Sequence, residues 1–265
     1  MKKGTLRNIG IIIGAVFFAA AVIYSSSKFR ETLCASIDVT IKDSAQIGFI
    51  NYNDVLQIIH SSSKTPILGT KLSSINLDEM ETFLTSQPYI RKADIYKTVN
   101  GHLKIDIQQR HPIVEIITNS NKSFYIDEEG TIFPSCQKGR APNIMVANGF
   151  INDKYDFSKQ NTYNIYNENI KTSKETEIFR LARLIAKDDF WRDQVEQIYV
   201  TETNEYEIVP LVGPKILELG TIEDYDEKLY YLKSFFTNGL KKTGWNKYQS
   251  ISVKYKGQIV CSKAI

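Results

Sequence analysis

The chain has 265 residues, 42% of them hydrophobic and 24% charged, with a formal net charge of +3. That composition excludes a disordered polymer. It also argues against a nucleic-acid surface, because the 33 basic residues are scattered among 30 acidic ones and form no dense basic patch.

Between Arg7 and Lys28 lie twenty uncharged residues with an apolar centre from Ile9 to Tyr24. About 20 residues rising 1.5 Å each cover the roughly 30 Å hydrocarbon core, so residues 9–27 are expected to form a single membrane-spanning helix. Lys2, Lys3 and Arg7 before it place residues 1–8 in the cytoplasm and the main part of the chain outside. A cleaved signal peptide is the competing reading. It is disfavoured because the small residues Ala19 to Ala21 lie inside the apolar run, which continues through Val22-Ile23-Tyr24.

After the span, Ile37, Val39 and Ile41 alternate with Asp38 and Thr40 as in a half-buried strand. Asn51 or Asn53 can cap a short helix facing inward through Val55, Leu56, Ile58 and Ile59. A second helix opens at Asn76 with Glu79 as a reciprocal cap, buries Leu77, Met80 and Leu84, and stops at Pro88. Two strands follow, carrying Ala93 and Ile95, then Leu103, Ile105 and Ile107, with Asn100-Gly101 predicted as a two-residue hairpin turn. This order predicts a β-α-α-β-β module over 35–112, two helices on one face of a three-stranded sheet.

The order resembles a POTRA domain, and particular residues narrow the likeness to the FtsQ/DivIB cell-division family. They are Gly69 to Leu77, then Glu81, Leu84, Pro88-Tyr89-Ile90 and Ala93. Next comes Ile107-Gln108-Gln109-Arg110-His111-Pro112, with Gln109 where the family commonly has Glu. Tyr125-Ile126-Asp127-Glu128-Glu129-Gly130-Thr131-Ile132-Phe133 follows as a strand, an aspartate and a glycine hairpin.

Residues 113–265 read as a mixed β-sheet domain with helices, so the chain as a whole is α+β. Strands are expected at Ile113 to Ile117 and Ser123 to Ile126, and Pro134 to Asn169 reads as a loop-rich tract. A helix follows with Ile178, Leu181, Ala182 and Ile185 on one face, then strands over 195–200, 205–209 and 215–219. A last helix shows Leu229, Leu232 and Phe236, with Gly239 as its C-terminal cap. The final strand is read as one run in which Ile251, Val253, Tyr255, Ile259 and Cys261 share a face. Tyr255 could face either the core or a partner, and Trp191 and Trp245 could be either core or surface.

No catalytic constellation is found. Asp188-Asp189, Glu128-Glu129 and Asp224-Asp226 read as solvated turn charges, and there is no Gly-x-Ser-x-Gly elbow, GxGxxG or P-loop. His60, His102 and His111 are isolated and no CxxC exists, so metal-ligand spacing is absent. Cys34, Cys136 and Cys261 do not make a disulfide scaffold, and a Cys136–Cys261 bridge and two separate thiols both stay open. No enzyme activity, cofactor, small-molecule substrate or nucleic acid is expected.

The family resemblance implies a non-catalytic scaffold of the bacterial inner membrane at the division septum, mostly periplasmic. In that family the terminal sheet edge accepts a strand from FtsB/FtsL-like bitopic proteins and so connects them with other divisome components. Lys254-Tyr255-Lys256-Gly257 matches the basic residue, tyrosine and glycine that members show there. This match assigns Ser252, Lys254, Tyr255, Lys256, Gly257 and Ile259 to the edge. The alternative is a polypeptide-handling POTRA protein of outer-membrane assembly or secretion, disfavoured because charged helices stand where a barrel is needed.

Overall fold

The computed structural model describes residues 13–20, 32–42, 47–62, 66–136, 143–167, 169–170, 173–245 and 247–263. Residues 13–20 are helical and exposed. The rest of the predicted span, 9–12 and 21–27, and the tail 1–8 lie outside the described residues. Among those described, no helix is long and apolar enough to cross a membrane. The described chain is α+β and divides into two units, 1–45 with 50–109 and 46–49 with 110–265.

The first unit contains β1 (Ser36–Lys42), α1 (Tyr52–Ser62), α2 (Leu77–Thr85), β2 (Ile90–Lys97) and β3 (His102–Gln109). The strand order is β1-β3-β2, with β1 parallel to β3 and β2 antiparallel to it. Alternation decides which face is buried: Leu103, Ile105 and Ile107 are inside, while Lys104 and Asp106 point out. Asn51 is the cap of α1, its Oδ1 accepting from the amides of Asn53 (2.8 Å) and Asp54 (3.1 Å). At α2 the Glu79 amide donates to Asn76 Oδ1 (3.3 Å), but Glu79 Oε2 accepts from the Asn76 side-chain amide, so the predicted reciprocal cap closes on the side chain. The predicted two-residue turn at Asn100-Gly101 is instead a four-residue turn, with the Gly101 amide donating to Thr98 O. Only Gly101 takes a positive φ, +89°. Leu33 O would lie 2.7 Å from a Cβ there, which reserves the position for glycine.

The second unit is built on one ten-stranded sheet. Its strands are β4 (Pro112–Ile117), β5 (Ser123–Asp127), β6 (Thr131–Pro134), β7 (Met145–Gly149), β8 (Tyr163–Asn164), β9 (Val195–Val200), β10 (Tyr206–Pro210), β11 (Ile216–Gly220), β12 (Tyr248–Ser252) and β13 (Val260–Lys263). They lie in the order β13-β12-β11-β10-β9-β7-β4-β5-β6-β8. The helices are α3 (Lys174–Lys187), α4 (Asp189–Arg192) and α5 (Tyr225–Ser234), the last continuing as a wide π turn over Phe235–Leu240 and a short α6 (Lys241–Thr243). Ile178, Leu181, Ile185, Trp191, Leu229 and Phe236 from the helices and Ile116, Ile198, Ile208, Leu217 and Ile251 from the strands form one buried cluster. The helical layer therefore covers a single sheet face.

Three expectations change here. Strands β7 and β8 lie in the tract read as loop. Gly239 does not end the last helix; it sits inside the π turn, where Phe235 would lie 2.8 Å from a Cβ, and the run ends at Gly244 (φ +98°). Cys136 and Cys261 are both free thiols, which removes the bridge. Cys261 is on β13 and Cys136 just past β6, eight strand steps across the sheet. At about 4.8 Å per step that is roughly 30–40 Å, against the less than about 7 Å a disulfide allows.

Asp188 ties the helical layer together. Its Oδ1 accepts from the Phe190 (2.9 Å) and Trp191 (3.2 Å) amides at the start of α4, and both oxygens accept from Lys233 Nζ of α5 (2.8 and 2.7 Å). Partial burial pulls the carboxyl up, but the Lys233 hydrogen bond and the two amides outweigh it and hold it below the usual carboxylate range. A carboxylate depressed in the folded state stabilises above its unfolded pKa, and that contribution is lost as pH falls through the folded value. Thermal melts of the wild type and Asp188→Asn from about pH 7 to about pH 3 are expected to show a wild-type advantage at neutrality that vanishes at the acid end. A constant difference would remove Lys233 pairing as its source.

Candidate docking edge

The strand read as one run from Ile251 to Cys261 is a hairpin. Antiparallel β12 and β13 pair Ile251 with Cys261 and Ser252 with Val260, and residues 253–259 connect them. Gly257 takes φ +71°, a turn conformation, and the Gln258 amide donates to Tyr255 O. The six residues assigned to the edge are therefore split. Ser252 is buried at the end of β12, while Lys254, Tyr255, Lys256, Gly257 and Ile259 belong to the loop. The outermost strand is β13, which sequence reading did not separate from β12. A glycine within a strand pattern is the signal that could have found it.

Lys254 is committed to the body of the unit. Its Nζ donates to Glu205 Oε2 at 2.6 Å and lies 3.9 Å from Glu218, and the Glu205 hydrogen bond holds the ammonium pKa above the ordinary lysine value. Gly220 (φ +72°) makes room for it, since a Cβ there would stand 3.0 Å from Lys254 Cγ. Glu207, in the same group, has its carboxyl pushed up by burial and then by the Glu218 charge. Beyond Lys254 the loop turns outward. Tyr255 is 64% exposed, which settles its orientation, and Val260 is 47% exposed. Tyr255, Gly257 and Ile259 line a cleft of about 390 Å³ whose other wall is Glu227, Lys228 and Tyr231. Tyr231 donates to Glu227 Oε1 at 3.0 Å within that wall.

The edges of the two sheets differ. On β2 the outward amide of Ile95 already donates to Glu81 Oε1 of α2 at 2.7 Å, so that edge is blunted. β8 spans only two residues, too short to template a strand. β13 pairs with β12 on one side and with no described strand on the other.

Among the described residues, no group of three His, Cys, Asp or Glu could hold a metal ion. Ser36 Oγ (2.8 Å) and Asp38 Oδ2 (3.3 Å) both approach Nδ1 of His102, so the ring cannot relay a proton between them through its two nitrogens.

The resemblance motifs meet around Arg110 and Asp127. Arg110 donates to Asp127 Oδ2 (3.0 Å) and Thr131 Oγ1 (3.2 Å), while Asp127 Oδ1 accepts from the Glu129 and Thr131 amides (3.0 and 2.8 Å). The model of the family described as FtsQ/DivIB, C-terminal related matches residues 111–262.

The chain belongs to the FtsQ/DivIB family.

Residues 32–108 match a POTRA-like domain. Among curated proteins this FtsQ/DivIB chain is similar to the cell division protein FtsQ of Syntrophotalea carbinolica. The two are 21% identical over 231 residues, 87% of this chain and 73% of that protein.

Proposed function

We propose that this protein is a non-catalytic scaffold of the bacterial division apparatus, tethered to the inner membrane by residues 9–27 with its main part in the periplasm. Membership of the FtsQ/DivIB family supports a cell-division role. In this reading β13 accepts an extended segment of a bitopic partner of the FtsB/FtsL kind and so connects it with the septal synthases. The observation that carries it is the outer side of β13, a row of backbone groups facing no described strand, flanked by exposed Tyr255, Ile259 and Val260. An added strand takes affinity from main-chain hydrogen bonds and selectivity from alternate side chains.

Co-purification of membrane partners with the full chain tests this. Cys261→Pro, which removes an amide from the outer side of β13, and Tyr255→Glu, which charges the exposed loop, are each expected to lower partner recovery about tenfold, one to two hydrogen bonds of about 1 kcal/mol each. Thermal stability should stay close to wild type. Unchanged recovery with both variants moves the docking site away from β13.

A further inference from the structure

A second surface of the same unit lies at the opposite end of the strands from the Tyr255 loop. The β10–β11 loop presents Leu211 and Val212, 64% and 50% exposed, at its tip. It rests against Trp245, whose ring carbon Cε3 would lie 3.4 Å from a Cβ at Gly213 (φ +100°). Trp245 is 38% exposed and packs edge-on against buried Phe236 at 5.9 Å, so one side of the ring is anchored and the other reaches solvent. Lys215 follows the loop tip in the chain, Lys241 and Lys242 precede Trp245 and Lys247 follows it, and all four are exposed. None of the four forms an ion pair with a described carboxylate. Three acids share a cleft with Leu211: Asp193 is held by Arg192 at 3.3 Å, and Glu128 and Glu196 face Arg183, Lys187 and Arg192 across the same lining.

Two exposed aliphatic residues and a tryptophan flanked in the chain by exposed lysines that form no described ion pair, one of them (Lys247) lying over the Tyr248 ring at 5.7 Å, match the chemistry of a bilayer surface. Aliphatic groups enter the headgroup boundary, an indole settles at the interface, and lysines meet anionic headgroups. A protein groove of the same charge would offer a concave floor, whereas Val212 and Trp245 expose their apolar groups on a loop tip and at the chain end of a helix. Strand directions add a second argument. β4, β7 and β9 are parallel and β10 runs against β9, so the β10–β11 loop is at the end of the sheet where β4 begins. Pro112 and Leu211 line one cleft there. The patch is thus at the end where the chain arrives from its N-terminal part.

We propose that Leu211, Val212 and Trp245, with Lys215, Lys241, Lys242 and Lys247, form a peripheral contact that lays this end of the sheet on an anionic membrane. The contact is separate from the β13 edge and needs only a bilayer beside the protein.

The test uses the full chain with vesicles of phosphatidylcholine or of phosphatidylglycerol-rich composition, both carrying brominated acyl chains that quench nearby tryptophan. Trp191 is 2% exposed and serves as the internal background. Quenching is expected in phosphatidylglycerol and not in phosphatidylcholine, fading with added salt and absent in Trp245→Phe. Lys241→Gln with Lys242→Gln should weaken the contact about 25-fold, two lysines near an anionic surface. Leu211→Ser with Val212→Ser should abolish quenching, with near-UV circular dichroism unchanged. Flotation of the same vesicles reads the N-terminal tether independently, so failure of that reading is distinguishable from failure of this one. Absence of quenching in anionic vesicles, or quenching that survives in the lysine and loop variants, overturns the proposal. So does protection of the lysines from chemical modification by an acidic division protein but not by vesicles, which assigns the patch to a protein partner.

Discussion

Replacing Trp191 with alanine is expected to destabilise the second unit by about 3–5 kcal/mol, the usual cost of deleting a large aromatic from a close-packed core. Trp191 is 2% exposed and touches Phe190 and Phe236, ring centroids 4.9 and 5.6 Å away. It belongs to α4, a helix of four residues that cannot hold itself by backbone bonding alone. Its position depends on the Asp188 cap at one end and the indole in the core at the other, so the truncation removes both packing and the reason for the turn. Denaturant unfolding of the full chain in mild detergent measures the effect as a lower midpoint for the second unit's transition. Trp191→Phe should recover a substantial part, because Phe fills most of the site without a polar atom. A loss below about 1 kcal/mol for alanine would mean that the helical layer closes over the gap.

Asp127→Ala should cost a comparable amount, about 3–5 kcal/mol, for a different reason. The Asp127 side chain is 2% exposed and that of Arg110 is 12% exposed, so the pair is nearly out of water. Burial pushes the carboxyl up, and the Thr131 amide and Arg110 pull it back only in part. Alanine removes the carboxylate facing a shielded guanidinium and strips the acceptor from two turn amides at once. Asp127→Asn keeps an oxygen for those amides and should lose less than half as much. The double variant Arg110→Met with Asp127→Asn should regain stability over Asp127→Ala, since no shielded charge remains. Thermal melts of the three variants decide it, and equal losses for Ala and Asn would show that the amides contribute nothing.

The sequence carried the first unit well, because its strands are half-buried and alternate cleanly and its helices carry side-chain caps. β9, β10 and β11 were equally readable for the same reason. β7 was not. Met145-Val146-Ala147-Asn148-Gly149 ends in a turn-like dipeptide, yet it lies parallel between β4 and β9 near the middle of the sheet. Neighbours on both sides impose the extended conformation, and no local preference reveals it. Gly149 is needed there because Val200 O would stand 2.2 Å from a Cβ. At the docking edge, parity over Ile251 and Val253 was extended through Gly257 into what is a turn. Period two does not continue across Gly257, whose positive φ turns the chain. The meeting of Arg110 with Asp127 follows a fold in three dimensions, so motif spacing alone marked both residues without pairing them.

The parallel seams of this protein also govern the order in which it assembles. β4 with β5 and β9 with β10 are local antiparallel pairs that close on the microsecond scale of hairpins, about 1–10 μs. The parallel seams β4–β7, β7–β9 and β11–β12 join distant segments and must wait for loop closure, a topology that folds in roughly milliseconds to seconds. The β12–β13 hairpin reaches the sheet only through the β11–β12 seam, which requires the α5 crossover to pack first. A chain in which that seam fails to form therefore lacks a supported β13, and under the proposed function only a finished sheet could recruit a partner.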